Sequence, residues 1–147
     1  MNWEFIVIHL SRQREGKDNV AKYKFYHIHL LSRDPRAAAD YYKKMFDAEI
    51  IESVQSDGEK RIDLDIDGVK IFILPVPPDK TMPEAPGEYY IGLDHFGLLV
   101  KNLDEAVSEL RKKGAEFAME PCVLRPGRKI AYIRAPENVR VEIVERS

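Results

Sequence analysis

Two histidines and one glutamate lie in segments whose pattern aims all three side chains at the same kind of surface. His27 sits in FYHIHLL (25–31), His95 in DHFGLLV (94–100) and Glu142 in VRVEIV (139–144). Each segment alternates in character, as a strand with one buried face does. In the last, Val139, Val141 and Ile143 point one way while Arg140 and Glu142 point the other. In the first, Tyr26, Ile28 and Leu30 alternate with His27 and His29; in the second, Phe96, Leu98 and Val100 alternate with His95 and Gly97. The apolar sets belong under helices, so both histidines share the opposite face with Glu142, where an ionised carboxylate must be paired, solvated or metal-bound. Two imidazoles and one carboxylate converging from different strands form a divalent-metal site with open positions, the donor set suited to Fe(II).

The elements that must position these residues are duplicated. Under a shift of 68 residues, YHIHLLSRDPRAAADYYKK (26–44) falls on DHFGLLVKNLDEAVSELRK (94–112), and His27 falls on His95. After a one-residue slip, DAEI (47–50) lies over GAEF (114–117), and KRIDLDIDGVKIFIL (60–74) lies over RKIAYIRAPENVRVEIV (128–144). Each copy opens with a short apolar strand and runs into a helix. The helix starts are marked by Asp34 with Pro35 and by Asn102 with Glu105. On the second helix Leu103, Ala106, Val107 and Leu110 recur at helical spacing, Arg111 to Lys113 fill the last turn, and Gly114 ends it. Three strands follow, the last two joined around Asp67-Gly68 or Ala135–Asn138.

The fold class this implies is α+β, two paired βαβββ modules forming a curved mixed sheet with a concave metal site. Residues 1–22 form an N-terminal extension in which Trp3, Phe5 and Val7 alternate as an extra strand would. The first module occupies 23–75, a proline-rich linker 76–91 and the second module 92–147. The stretch PVPPDKTMPEAPGEYY (75–90) holds five of the nine prolines, which excludes a central strand or a helix interior.

Composition narrows the function classes. A chain of 147 residues, 44% hydrophobic and 33% charged, is large enough for one core and fits a soluble globule. Its net charge of −2 gives no basic excess for nucleic acid, and no apolar run approaches the ~20 residues that cross a bilayer. Trp3 to Leu10 contains Glu4 and His9 and does not read as a signal peptide. Cys122 stands alone, so neither an intrachain disulfide nor a Cys-based zinc site is available, and a reducing cytoplasm is the expected location.

Over residues 24–146 the chain resembles the vicinal oxygen chelate superfamily, which includes glyoxalase I, methylmalonyl-CoA epimerase, fosfomycin and bleomycin resistance proteins and extradiol dioxygenases. The resemblance rests on the paired modules, on YHIHLL and DHFGLLV, and on AYIRAPENVRVEIVE (131–145), which is similar to the family's Asp-Pro-x-Gly-Asn turn followed by a ligand Glu. It implies metal ligands at His27, His95 and Glu142. A fourth position, usually Glu, Gln or His in glyoxalases and epimerases, falls on Phe72, which cannot bind a metal. Extradiol dioxygenases use only the His, His and Glu positions, and Tyr132, Ala135 and Pro136 before Glu142 resemble their signature. The resemblance also implies a homodimer, in some relatives with each site built from modules of two chains, and a small-molecule substrate.

The favoured function is thus an Fe(II) oxygenase acting on a small catechol-like or hydroxy-keto substrate, with Mn(II), Ni(II), Zn(II) or Co(II) as other candidate cations. His29, two residues from His27, is a candidate proton shuttle and Tyr132 a candidate hydrogen-bond donor to a bound anion. Phe72 and Arg128 are candidate substrate contacts, and Arg125 could bind a substrate carboxylate. One alternative is a metal-dependent lyase or isomerase, in which His29, Asp63 or Asp65 would supply the base, although both aspartates read as part of a solvated strand face. Another is a non-catalytic, ligand-sequestering resistance protein.

Overall fold

A computed structural model describes residues 23–87 and 89–147, so the strand expected around Trp3 to Val7 lies outside the described residues. In chain order the elements are β1 (His27–Ser32), α1 (Pro35–Phe46), β2 (Glu49–Val54), β3 (Lys60–Ile66), β4 (Val69–Pro75), β5 (Phe96–Val100), α2 (Leu103–Lys113), β6 (Glu116–Arg125), β7 (Arg128–Arg134) and β8 (Arg140–Arg146). They form two separate four-stranded mixed sheets, ordered β1-β4-β3-β2 and β5-β8-β7-β6. In each, the first strand runs parallel to the last and the other pairings are antiparallel. The histidine-bearing segments therefore lie at sheet edges, β1 on one sheet and β5 on the other.

Local chemistry sets these boundaries. The Asp34 carboxylate accepts from the Ala37 amide at 2.9 Å, and Pro35 fills the first turn of α1 without needing a donor. Asn102 caps α2 by accepting from the Glu105 amide at 3.1 Å. Gly114 ends that helix at φ 85°, a conformation that carries a cost for any residue with a Cβ. At the β3–β4 hairpin, Asp67 and Gly68 adopt φ of 50° and 82°, the pair of positive values that a tight two-residue turn requires.

The sheets bury the faces that alternation assigns to burial. Leu64, Ile71 and Ile73 from the first sheet and Ile133, Val141 and Ile143 from the second join Ala38, Ala39 and Tyr42 of α1 and Leu103, Val107 and Leu110 of α2 in one apolar cluster. Tyr26 departs from its expected place beside Ile28 and Leu30. It precedes β1, so the strand's alternation does not bind it; its exposed ring packs edge-on against His27 and Phe72 instead.

The modules are also tied by polar contacts. Glu137, on the turn before β8, accepts from the Ser32 hydroxyl at 3.0 Å, the Arg33 amide at 2.9 Å and the Arg33 guanidinium at 3.0 Å. Glu137 and Asn138 both sit at positive φ, 61° and 59°, a strain of order 1–3 kcal/mol each that these contacts help offset. Residues 76–95 form neither helix nor strand where described; Arg134 donates to the Gly87 carbonyl and Asn138 to that of Ala85. Among the described residues no helix is long and apolar enough to cross a membrane.

The Tyr42 hydroxyl is buried with no hydrogen-bond partner among the described residues, and burial, with a smaller contribution from Tyr41, pushes its pKa above the ordinary phenol value. Replacing Tyr42 by Phe keeps the ring and removes the orphaned group, so urea denaturation should show a gain of about 1 kcal/mol. A loss of stability would mean that the hydroxyl is satisfied.

Candidate metal centre

Strand register relates the site positions of the two modules. His29 lies opposite Phe72 across β1 and β4, as Gly97 lies opposite Glu142 across β5 and β8. Each histidine of interest comes two residues earlier, so His27 stands to Phe72 as His95 stands to Glu142. On the adjoining strand, Asp63 pairs with Phe72 and Tyr132 with Glu142. The same backbone arrangement carries different chemistry. The His27 ring stacks on Phe72 with centroids 4.2 Å apart, whereas His95 Nε2 stands 3.7 Å from Glu142 Oε2.

Glu142 is nearly buried, and its charge needs a partner. Arg128 supplies one, its Nη2 lying 3.3 Å and 3.5 Å from the two carboxylate oxygens. Space is reserved on the other side by Gly97, where a Cβ would come within 3.3 Å of Glu142 Oε2. The His95 ring is oriented through Nδ1, 2.7 Å from Asp94 Oδ2. With Asp94 ionised, Nδ1–H donates to it, which leaves Nε2 as the ring nitrogen that faces Glu142. Where such a nitrogen is unprotonated, it and a facing carboxylate oxygen repel unless a cation lies between them. Donors bound to one cation at about 2.1 Å stand roughly 3–3.5 Å apart, so the pair needs only a small closure to share one.

Asp94 is itself held by Arg140, whose Nη1 donates to Oδ1 at 2.7 Å. The hydrogen bond from His95, followed by the charge of Arg140, keeps the Asp94 carboxyl below its ordinary pKa. Arg140 is 5% exposed, and its guanidinium lies 4.5 Å from the Tyr132 ring centroid and 4.2 Å from that of Tyr89. Tyr132 packs edge-on against His95 with centroids 5.0 Å apart. Burial first and the Glu142 charge second raise the Tyr132 phenol above its ordinary value, so it remains an O–H donor at neutral pH.

Of the residues singled out in the sequence, His95, Glu142, Arg128 and Tyr132 come together on the second sheet. His27, His29 and Phe72 occupy the first sheet, and His29 is exposed. Among the described residues no three His, Cys, Asp or Glu side chains converge as a metal site. Arg125 is exposed at the end of β6. The two aspartates are not simply solvated: Asp63 pairs with Arg61 at 2.8 Å, and Asp65 accepts from the Gly68 amide at 2.7 Å, fixing the hairpin. Sequence reasoning missed Asp94, Arg140 and Gly97. An acidic residue directly before His95 and the alternation placing Arg140 beside Glu142 were the available signals for two of them.

The model for the Glyoxalase/Bleomycin resistance protein/Dioxygenase superfamily matches residues 24–143. The chain belongs to that superfamily. No curated protein matches significantly. Among solved structures, a glyoxalase family protein from Enterococcus faecalis is 19% identical with a TM-score of 0.65, the match covering 83% of this chain and 97% of that one. The fosfomycin resistance protein FosX from Listeria monocytogenes is 18% identical with a TM-score of 0.66, over 86% of this chain and 96% of its own. A glutamate-to-glutamine mutant of that protein, complexed with Mn(II) and 1S,2S-dihydroxypropylphosphonic acid, is 20% identical with a TM-score of 0.62, over 84% and 90% of the two chains.

A carboxyl whose pKa is lower in the folded state contributes stability that is present above its ordinary pKa and lost as pH falls through the lowered one. Replacing Asp94 by Asn should therefore lower the urea midpoint at neutral pH, with the difference from the parent shrinking on acidification below the ordinary aspartate range. An unchanged midpoint at neutral pH would show that the Asp94 contacts contribute nothing.

Proposed function

We propose that this chain is a divalent-metal-dependent enzyme that acts on a small oxygen-chelating substrate, with its cation held by His95 and Glu142 of one chain and His27 of the partner subunit. The observation that carries this reading is the facing of His95 Nε2 and Glu142 Oε2 at 3.7 Å with Nδ1 tied to Asp94. His27 is the pseudo-equivalent histidine of the other module. Because β1 and β5 are both edge strands among the described residues, a second copy can set its β1 beside β5 and bring His27 to the pair without disturbing either sheet. Exposed Leu31, Leu99, Ile91 and Leu93 offer apolar surface for such a homodimer.

A bound divalent cation would supply Lewis acidity toward a substrate oxygen. The protein's own residues do the rest. Asp94 fixes the His95 tautomer and Arg140 fixes Asp94. Arg128 neutralises Glu142 while no other cation does, and is then free to face a substrate anion. Tyr132 donates its O–H toward the same space, and His29 is a candidate proton carrier on the partner's first sheet. Phe72 withholds a fourth protein donor, leaving room for a bidentate substrate.

Fe(II) is favoured by this three-donor set and would permit oxygenation; Mn(II), the ion in the FosX complex, would serve as a Lewis acid in a reaction that consumes no oxygen. An oxygen electrode with Fe(II)-loaded protein and a panel of catechols and hydroxy-ketones separates the two. Oxygen uptake indicates oxygenation, and its absence alongside oxygen-independent turnover indicates the lyase, isomerase or hydrolytic type.

The shared site has its own test. His27→Ala and His95→Ala homodimers should each lose Mn(II) affinity by at least about 10-fold, as judged by EPR of free Mn(II). Mixing the two variants under subunit exchange should regenerate one intact site per heterodimer and restore part of the binding. Failure of heterodimers to recover binding would place the site within a single chain.

A further inference from the structure

The face of the first sheet away from the helices carries a depression of about 250 Å³ whose lining includes Tyr26, Arg61, Asp63, Lys70 and Phe72. Phe72 is its floor. β4 lies between β1 and β3 in the sheet, so His27 stacks on one side of the Phe72 ring at 4.2 Å and the Arg61 guanidinium lies over the other at 4.0 Å. Tyr26 meets Phe72 edge-on with centroids 5.9 Å apart.

The charges here are arranged for a ligand more than for each other. Arg61 engages Asp63 through Nε, at 2.9 Å from Oδ1, which leaves both terminal nitrogens without a hydrogen-bond partner among the described residues. That contact, together with the stack on Phe72, holds the guanidinium fork in place. Lys70 Nζ stands 5.6 Å from the Tyr26 ring centroid, and among the described residues it has no carboxylate within 4.0 Å. Asp63 is the only carboxylate among the lining residues, so two cations face one anion beside two aromatic rings.

We infer that this depression is a subsite for a planar anion, an aromatic or conjugated carboxylate, gripped by Arg61 and Lys70 and packed against the Tyr26 ring and the edge of Phe72, whose two faces His27 and Arg61 already cover. A carboxylate matches the paired terminal nitrogens of arginine, and a flat π-system matches aromatic walls that a saturated acid cannot exploit. The inference rests on the shared-site reading for its role: Phe72 takes the position that Glu142 takes in the other module, so one module provides metal donors while the other holds the substrate's acid group.

The experiment uses metal-free, full-length protein and follows backbone amides by NMR during titration with benzoate, cyclohexanecarboxylate and inorganic phosphate. Benzoate should shift amides of β3 and β4 around Arg61 and Lys70, and cyclohexanecarboxylate should bind about threefold more weakly or less well still. Lys70→Ala and Arg61→Lys should each weaken benzoate by about fivefold. Phe72→Leu should erase the preference for benzoate while the spectrum stays dispersed. Equal binding of the two carboxylates, phosphate binding as tight as benzoate, or benzoate shifts that ignore Lys70→Ala would each overturn the inference. Metal is absent throughout, so failure here leaves the His95–Glu142 proposal standing, and failure of Mn(II) binding leaves this titration interpretable.

Discussion

An imidazole nitrogen and a nearly buried carboxylate face each other 3.7 Å apart, and unless a proton or a cation lies between them they repel. The surroundings hold the two groups in that arrangement. Asp94 keeps the His95 proton on the far nitrogen, Arg140 keeps Asp94 ionised and in place, and Gly97 leaves the space beside Glu142 open. Arg128 supplies compensating charge from the side, at the long hydrogen-bonding distances of 3.3 and 3.5 Å.

Duplication explains how such a pair arises and why its counterpart differs. Both modules share one register, with a histidine two residues before the position opposite a site residue on the last strand. One module keeps the polar combination. The other has Phe72 at the equivalent position, with His27 and Arg61 stacked on its ring and Asp63 paired with Arg61. The side chains around that register position differ together between the modules, Asp63 standing where the second has Tyr132, while both modules turn apolar faces toward α1 and α2.

Most of the fold is legible in the sequence because local rules govern it. Alternation places Ile71, Val141 and Ile143 in the core, caps at Asp34 and Asn102 mark the helices, and the internal repeat supplies the module plan. Alternation fails at Tyr26, which lies beyond the strand end and so escapes its periodicity. The site is only partly legible. Strand periodicity turns His27, His95 and Glu142 away from the apolar faces of their strands, but it says nothing about which sheet carries each of them. Asp94 and Arg140 act through partners separated by 46 residues, a long-range ion pair that no spacing rule reports. Asp63 reads as solvated in the sequence because its partner, Arg61, lies two residues earlier on the same strand face, where it looks like one more surface charge.

The most direct measurement is pulsed EPR on Mn(II)-loaded protein carrying ¹⁵N-labelled histidine. Histidine-labelled parent protein should show couplings to two imidazole nitrogens, from His95 and from His27 of the partner subunit, and His27→Ala should reduce them to one. A parent spectrum with one imidazole or none would contradict the account.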